Sequence, residues 1–596
     1  MKKIVFLLAL VITGCSSWTL QNENHRFNDF LDAEFERALE NSPESYTYLG
    51  IKKKYDQLNN NTEEFALKMQ EERKRVLASL SQFAVAQLNA DTQLSYRLAK
   101  KALEEQIADF EWRQHGYIAT QFFGFHSDLP AFMMNFHQVE NETDLEAYLS
   151  RFKELKRVVK EKIVNIQLQE KQGILPPKFV YHYVLEAAKN ILKGAPFDKN
   201  QTASPLYADF VRKAKALKLS KSTYEKYDSE AQDVFIKHVR PAYLDFISFF
   251  EKQQKRAKTN HGIWKLPRGN EYYKILVQRH TTTQLTPAEI HRLGLENVER
   301  LQNEMRVILK ELNYKDSLQS FFAKLRTDDQ YYFANTPQGG EDYLALSRKY
   351  YADIQPKIPE YFRLMPKAGF EIRSVEKFRE SSAGIAFYEH PSEDGKRPGV
   401  YYVNLRNMRD LPKHEAQVIL YHEGAPGHHF QIALAQEQKD LPKARRFNNY
   451  TAYAEGWGLY TERLTGEMGL FQDPLSRFGK LSLEMLRASR LVLDTGIHYK
   501  KWSRETAIDY MRKNVPGPIE DQKNEIERYF VYPGQATAYM VGMLKIVELR
   551  EKAKKSLGEK FDIRDFHDVV LGSGALPLSE LEVLVDLYIQ KKMTKK

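Results

Sequence analysis

Tyr421-His422-Glu423-Gly424-Ala425-Pro426-Gly427-His428-His429-Phe430-Gln431 packs three histidines and a glutamate around a Pro-Gly pair. A His-Glu pair on a helix, with further histidines close behind, is how zinc hydrolases are built. Neutral imidazoles hold the ion, and the carboxylate beside the first ligand takes a proton from the water that the ion activates. The usual spacing sets two histidines four apart on one helix face; here the candidates follow His422 by six and seven. In an unbroken helix His428 would lie about 120° around and ~9 Å along from His422, and His429 about 10.5 Å along. Neither would reach the same ion. Pro426 removes a helix hydrogen bond and Gly427 admits unusual dihedrals, so a break is expected that returns either His428 or His429 to His422. Catalytic zinc takes three protein ligands. Downstream, Ala454-Glu455-Gly456-Trp457 offers Glu455, whose small neighbours allow close backbone approach. Glu462, two turns further, reads as a salt-bridged or exposed residue.

Outward from this stretch the pattern is helical. Leu145, Tyr148, Leu149, Phe152, Leu155 and Val158 recur at three and four, with Asn141 or Thr143 as caps. Thr286-Pro287-Ala288-Glu289 is a helix start with proline at the first position and glutamate at the third. Chain breaks are expected at 173–177, 262–269, 336–340 and 392–399. Two β-rich runs, Ser381 to Tyr388 and Gly399 to Leu405, read as a hairpin with a long connection just before the histidine helix, which is expected to begin after Pro412. The fold class is therefore mainly α, with a small β-sheet beside the metal-binding helix.

The chain has 596 residues, a formal charge of +10 and one cysteine, which excludes intramolecular disulfides and thiolate metal sites. The mild basic excess is spread along the chain, so no nucleic-acid partner is expected. Cys15 follows Lys2-Lys3, the apolar run Ile4 to Ile12, and Thr13-Gly14. That run is too short to span a bilayer and suits a signal peptide. The segment resembles the bacterial lipobox, which implies residues 1–14 as a lipoprotein signal peptide and Cys15 as the lipidated first residue. The expected location is the bacterial cell envelope, facing the periplasm, on the outer rather than the inner membrane. Residues 15–25 would form the tether, 26–260 an N-terminal helical region and 261–596 the metal-binding region, the last two read as one continuous domain.

Four motifs together carry a wider resemblance: the His422 to His429 stretch, Ala454-Glu455-Gly456-Trp457, Asp494-Thr495-Gly496-Ile497-His498, and Tyr532-Pro533-Gly534-Gln535-Ala536. Leu266-Pro267-Arg268-Gly269 and Gly572-Ser573-Gly574-Ala575-Leu576-Pro577 extend it. The sequence resembles the bacterial domain-of-unknown-function family 885, grouped with the zincin metallopeptidases. The resemblance implies a large helical zincin-like peptidase fold and a peptide substrate. It implies Zn2+ held by His422, His428 and Glu455, with Glu423 as general base. Zincins that keep a Gly-His pair after such insertions favour His428 over His429, and gluzincins draw a glutamate from a following helix, as Glu455 would be. For the oxyanion of a tetrahedral intermediate, the candidates are His498, which Asp494 could orient, Tyr532 and Tyr539. The strand Val400 to Leu405 could offer a free edge to an extended peptide. Two other readings fit the motif: a non-catalytic, lipid-anchored metal-binding scaffold, and an amide hydrolase acting on peptidoglycan. Oligomeric state is not legible.

Overall fold

The helix-period patterns are realised as helices almost throughout. The computed structural model describes residues 22–199, 202–257, 259–375, 377, 380, 384–392 and 397–594. Cys15 and the leader lie outside these residues, as do Ser381, Ser382 and Ala383 of the expected strand. Contacts divide the chain into two units, residues 1–260 with 442–444, and 261–441 with 445–596. No helix among the described residues is long and apolar enough to cross a membrane.

Among the described residues the first unit is built of helices, with one isolated parallel bridge between Ala195 and Ala203. Its helix at residues 22–40 begins inside the stretch expected to serve as tether. Asn141 caps the helix Glu142–Lys153 by accepting from the Asp144 N–H, and a new helix, Leu155–Lys171, follows Glu154. Tyr148, Phe152, Phe210, Phe235, Tyr243 and Phe246 lie in its buried core. Arg151 is buried with them because Thr47, His137 and the Gln57 carbonyl each accept or share a hydrogen bond with its guanidinium.

The second unit carries the histidine motif. The helices used below are α1 (Gly269–Thr281), α2 (Pro287–Glu311), α3 (Pro337–Ile354), α4 (Ala416–Glu423), α5 (His428–Glu437), α6 (Thr451–Glu467), α7 (Pro474–His498), α8 (Ile519–Val531) and α9 (Ala538–Leu557). α2 starts with a complete capping box, Thr286 and Glu289 exchanging side-chain and backbone bonds. Thr336 to Gly340, expected as a break, is instead the start of α3: Thr336 is its cap and Pro337 its first residue, and both glycines lie within the first turn. α2 packs along α7, and α6 along α9. The second pair touches backbone to backbone, since a Cβ on Gly456 would come within 2.5 Å of the Gly542 carbonyl carbon.

Among the described residues, three strands complete the unit: β1 (Phe370–Ser374), β2 (Ala386–Glu389) and β3 (Gly399–Val403), in the order β1-β3-β2. β2 and β3 pair antiparallel, Ala386 opposite Val403, as the hairpin reading required. β1 pairs parallel to β3, with Phe370 opposite Gly399. The expected free edge of the Val400 to Leu405 run is therefore corrected: β3 is the central strand, buried along its whole length, and bonded on both sides. A strand covered on both faces carries a continuous apolar run, which is what Gly-Val-Tyr-Tyr-Val is.

Candidate metal centre

α4 begins at Ala416, two residues later than His414, and stops at Glu423, where Gly424 turns to φ −98°, ψ −125°. Gly427 adopts φ −76°, ψ −123°, and α5 restarts at His428. A Cβ on Gly427 would overlap the carbonyl oxygen of His422, so the return path requires glycine. The indole N–H of Trp457, from α6, donates to the carbonyls of Pro426 at 3.0 Å and Gly427 at 3.3 Å. That bond fixes the break against the helix that carries Glu455.

The break brings His428 back to His422, with ring centroids 4.7 Å apart and planes at 87°. One carboxylate oxygen of Glu455 stands 3.5 Å from His422 Nε2 and 3.6 Å from His428 Nε2. Glu423 faces the same space: one of its oxygens and a ring nitrogen from each histidine all lie within 4.8 Å of one another. Donors at about 2.0–2.1 Å around a tetrahedral zinc stand roughly 3.3–3.4 Å apart. The two spacings to Glu455 come close to that, and two imidazoles with one carboxylate form a donor set that leaves a fourth position open. The residues present therefore fit a divalent ion of this kind.

Glu462 completes the arrangement. It is buried, and accepts the Nδ1–H of His422 at 2.7 Å, which leaves Nε2 to face Glu455. The sequence suggested only a salt-bridged or exposed glutamate there. Its position seven residues after Glu455, on one face of α6, is the signal that could have paired it with His422. Gly458 lies flat under the same ring, and a Cβ there would come within 2.6 Å of His422 Cε1. Burial depresses the His422 imidazolium, but the hydrogen bonds to Glu455 and Glu462 and the charges of Glu462 and Glu423 outweigh it and raise the group to about 10. Burial holds the Glu423 carboxyl above its usual range, against the pull of His428 and His422. Three acidic side chains, Glu423, Glu455 and Glu462, thus stand around the two imidazoles.

The remaining expected residues separate clearly. His429 is turned away from the cluster: it accepts the Tyr388 hydroxyl at 2.9 Å on Nδ1, stacks obliquely on Phe370 at 4.9 Å, and is depressed by burial to about 4. His498 does not join the site either. Its Nδ1 accepts from the Ile263 N–H at 3.0 Å, its Nε2–H donates to the Tyr529 carbonyl at 2.9 Å, and burial lowers it to about 4. Asp494 does not orient that ring, since it accepts from the Tyr273 hydroxyl at 2.6 Å and from Gly534 N. Tyr532 stands half-exposed with its ring edge-on to His280 at 5.4 Å. Tyr539 is buried between the guanidinium groups of Arg487 and Arg490, 5.0 and 4.5 Å from its ring.

Fold and site together define a mainly α protein with a small three-stranded sheet and a partly buried His-Glu-His cluster suited to a metal ion. The chain belongs to the family described as bacterial protein of unknown function (DUF885), which it matches over residues 43–585. The crystal structure of a protein from Colwellia psychrerythraea described as a candidate lipoprotein is similar at 29% identity and TM-score 0.86, over 96% of this chain and 99% of that one. A candidate lipoprotein of unknown function from Shewanella oneidensis has the same fold at 19% identity and TM-score 0.73, over 94% of this chain and 99% of that one. A candidate oligoendopeptidase F from Bacillus anthracis str. Ames aligns at 11% identity and TM-score 0.29, over 87% and 95% of the two chains, too distant to bear on fold or function. No curated protein matches the chain.

Proposed function

We propose that this protein is a zinc-dependent metallopeptidase, with His422, His428 and Glu455 as metal ligands and Glu423 as general base. The observation that carries the reading is the single Glu455 oxygen set 3.5 and 3.6 Å from the two Nε2 atoms. Bound zinc supplies a Lewis acid that polarises the scissile carbonyl and makes water nucleophilic at neutral pH. The protein supplies the rest. Glu423, adjacent to the first ligand, takes the proton of the attacking water and returns it to the leaving amine. Glu462 holds His422 in the tautomer whose Nε2 lone pair faces the ion. Tyr539 and Tyr532 are the candidates left for hydrogen bonding to the developing oxyanion. Lipid anchoring through Cys15 to the bacterial cell envelope belongs to the same reading, supported by the signal-peptide pattern and by the description of the Colwellia relative.

Metal analysis of the purified full chain tests the ligand set. One zinc per chain is expected in the wild type and in His429→Ala, with loss in His422→Ala, His428→Ala and Glu455→Ala. Loss in His429→Ala but not in His428→Ala would reverse the assignment. Assay of peptides beside peptidoglycan fragments separates a peptidase from a cell-wall amidase, and stoichiometric zinc with neither activity would point to the scaffold.

A further inference from the structure

Near the crossing of α6 and α9, three guanidinium groups gather around one phenol. Arg487 and Arg490, one turn apart on α7, lie over the Tyr539 ring, and Arg528 of α8 reaches the Tyr539 hydroxyl at 3.5 Å. A single carboxylate, Glu525, pairs with Arg490 at 2.9 Å and with Arg528 at 3.3 Å. Arg528 is further tied to Gln535 at 2.7 Å, and Arg490 to the Tyr529 hydroxyl at 3.3 Å. Donors remain open. Nη1 of Arg490, a residue only 3% exposed, and the buried Nε of Arg487 donate to nothing, and Arg487 makes no hydrogen bond or ion pair among the described residues.

Three arginines against one contacting carboxylate leave a surplus of two positive charges in a largely buried place, where unpaired charge is costly. α9 packs backbone to backbone on α6 where Gly542 meets Gly456, so Tyr539, one turn before Gly542, and the guanidinium groups around it stand beside the helix that carries Glu455. Guanidinium forks with free N–H groups match the planar geometry of a carboxylate. We propose that Arg487 and Arg490, backed by Arg528, receive a substrate carboxylate, that of the peptide's C-terminus, which makes the enzyme an exopeptidase working from that end. This rests on the peptidase reading of the metal centre, and deepens it by naming the substrate end.

The test uses the zinc-loaded Glu423→Gln protein and three N-acetylated peptides of one sequence: the free acid, its C-terminal amide, and the amide with a glutamate at the last position. Binding of the acid is expected to exceed that of the amide by about 10- to 100-fold, the range of a charge-assisted hydrogen bond. Adding Arg487→Met should abolish that preference, and Arg487→Lys should restore part of it, with zinc content unchanged in both. Equal binding of acid and amide overturns the proposal. Tight binding of the glutamate-bearing amide assigns the cluster to an acidic side chain and overturns the C-terminal assignment. Turnover by the wild type is read in parallel. No cleavage of any peptide, with the acid preference intact, defeats the peptidase reading and leaves the carboxylate site standing. Equal cleavage of acid and amide defeats the carboxylate site and leaves the peptidase.

Discussion

At the scale of single residues, the centre depends on how His422 is held. Glu462 accepts its Nδ1–H at 2.7 Å and Gly458 lies against its ring, so both position a proposed ligand without belonging to the proposed set. Glu462→Gln is expected to weaken zinc binding by about 10- to 100-fold, measured by competition with a chelator, while the melting temperature of the metal-free protein barely moves. Gly458→Ala should displace the imidazole and cut zinc affinity at least as much; unchanged affinity would mean that the ring tolerates the methyl group. Much of this centre was legible. His422 and Glu423 follow from adjacency on a helix, and the return of His428 from the Pro-Gly pair. Choosing His428 over His429 was not a matter of spacing, because the partner that turns His429 away, Tyr388, is forty-one positions distant in sequence. His498 misled for the same reason: a histidine one turn after an aspartate looks like a pair, but Ile263 and Tyr529 take both of its nitrogens from remote elements.

At the scale of elements, the return path across residues 424–427 and the α6–α9 crossing together set where Glu455 stands. A Cβ on Gly542 would overlap the Ala452 carbonyl, one turn before Glu455, in a contact with no flexible side chain to yield. Gly542→Ala should therefore force the helices apart, at a cost of about 1–3 kcal/mol or more in stability by denaturant titration, with zinc affinity reduced alongside. A neutral outcome would show that the crossing is loose. The helices were readable from their periodicity and caps, as Asn141 and Thr286 show. β1 was overlooked although Phe370-Glu371-Ile372-Arg373-Ser374 alternates in the strand period. Its parallel pairing to β3 crosses a long connection, and that pairing is what turned an expected edge into a central strand.

At the scale of the whole molecule, burial sets a dependence of stability on pH. Burial lowers His280, His414 and His498 to about 4 and His567 to about 3. Between an unfolded value near 6.5 and those folded values, the unfolded chain binds protons that the folded one refuses, so stability falls as pH drops through this window. Each such histidine contributes about 1.4 kcal/mol per pH unit. Asp494, raised by burial to about 7, and Glu415, raised by burial to about 8, act in the opposite sense, losing stability as pH rises from their unfolded values towards the folded ones. Burial holds His126, His137 and His429 low as well, so these histidines outnumber Asp494, Glu415 and Asp521, the acids that burial raises most. His422, raised to about 10, loses its contribution only above its unfolded value, so stability should be greatest near pH 6.5. Thermal melts from pH 4.5 to 8 check this, and His498→Gln should flatten the acid limb; a curve unchanged by that substitution would contradict the assignment. The mainly α class and the family were legible from the sequence, while the arginine cluster was not, since it draws on α7, α8 and α9 at once.

The central claim is that Glu423 works on a metal held by His422, His428 and Glu455. It is tested most directly by comparing peptide turnover of the wild type and Glu423→Gln at equal zinc content. Full zinc occupancy in both, with kcat lowered by about 10²–10⁴-fold or more in the variant, is the predicted result. Equal turnover at equal zinc would contradict it.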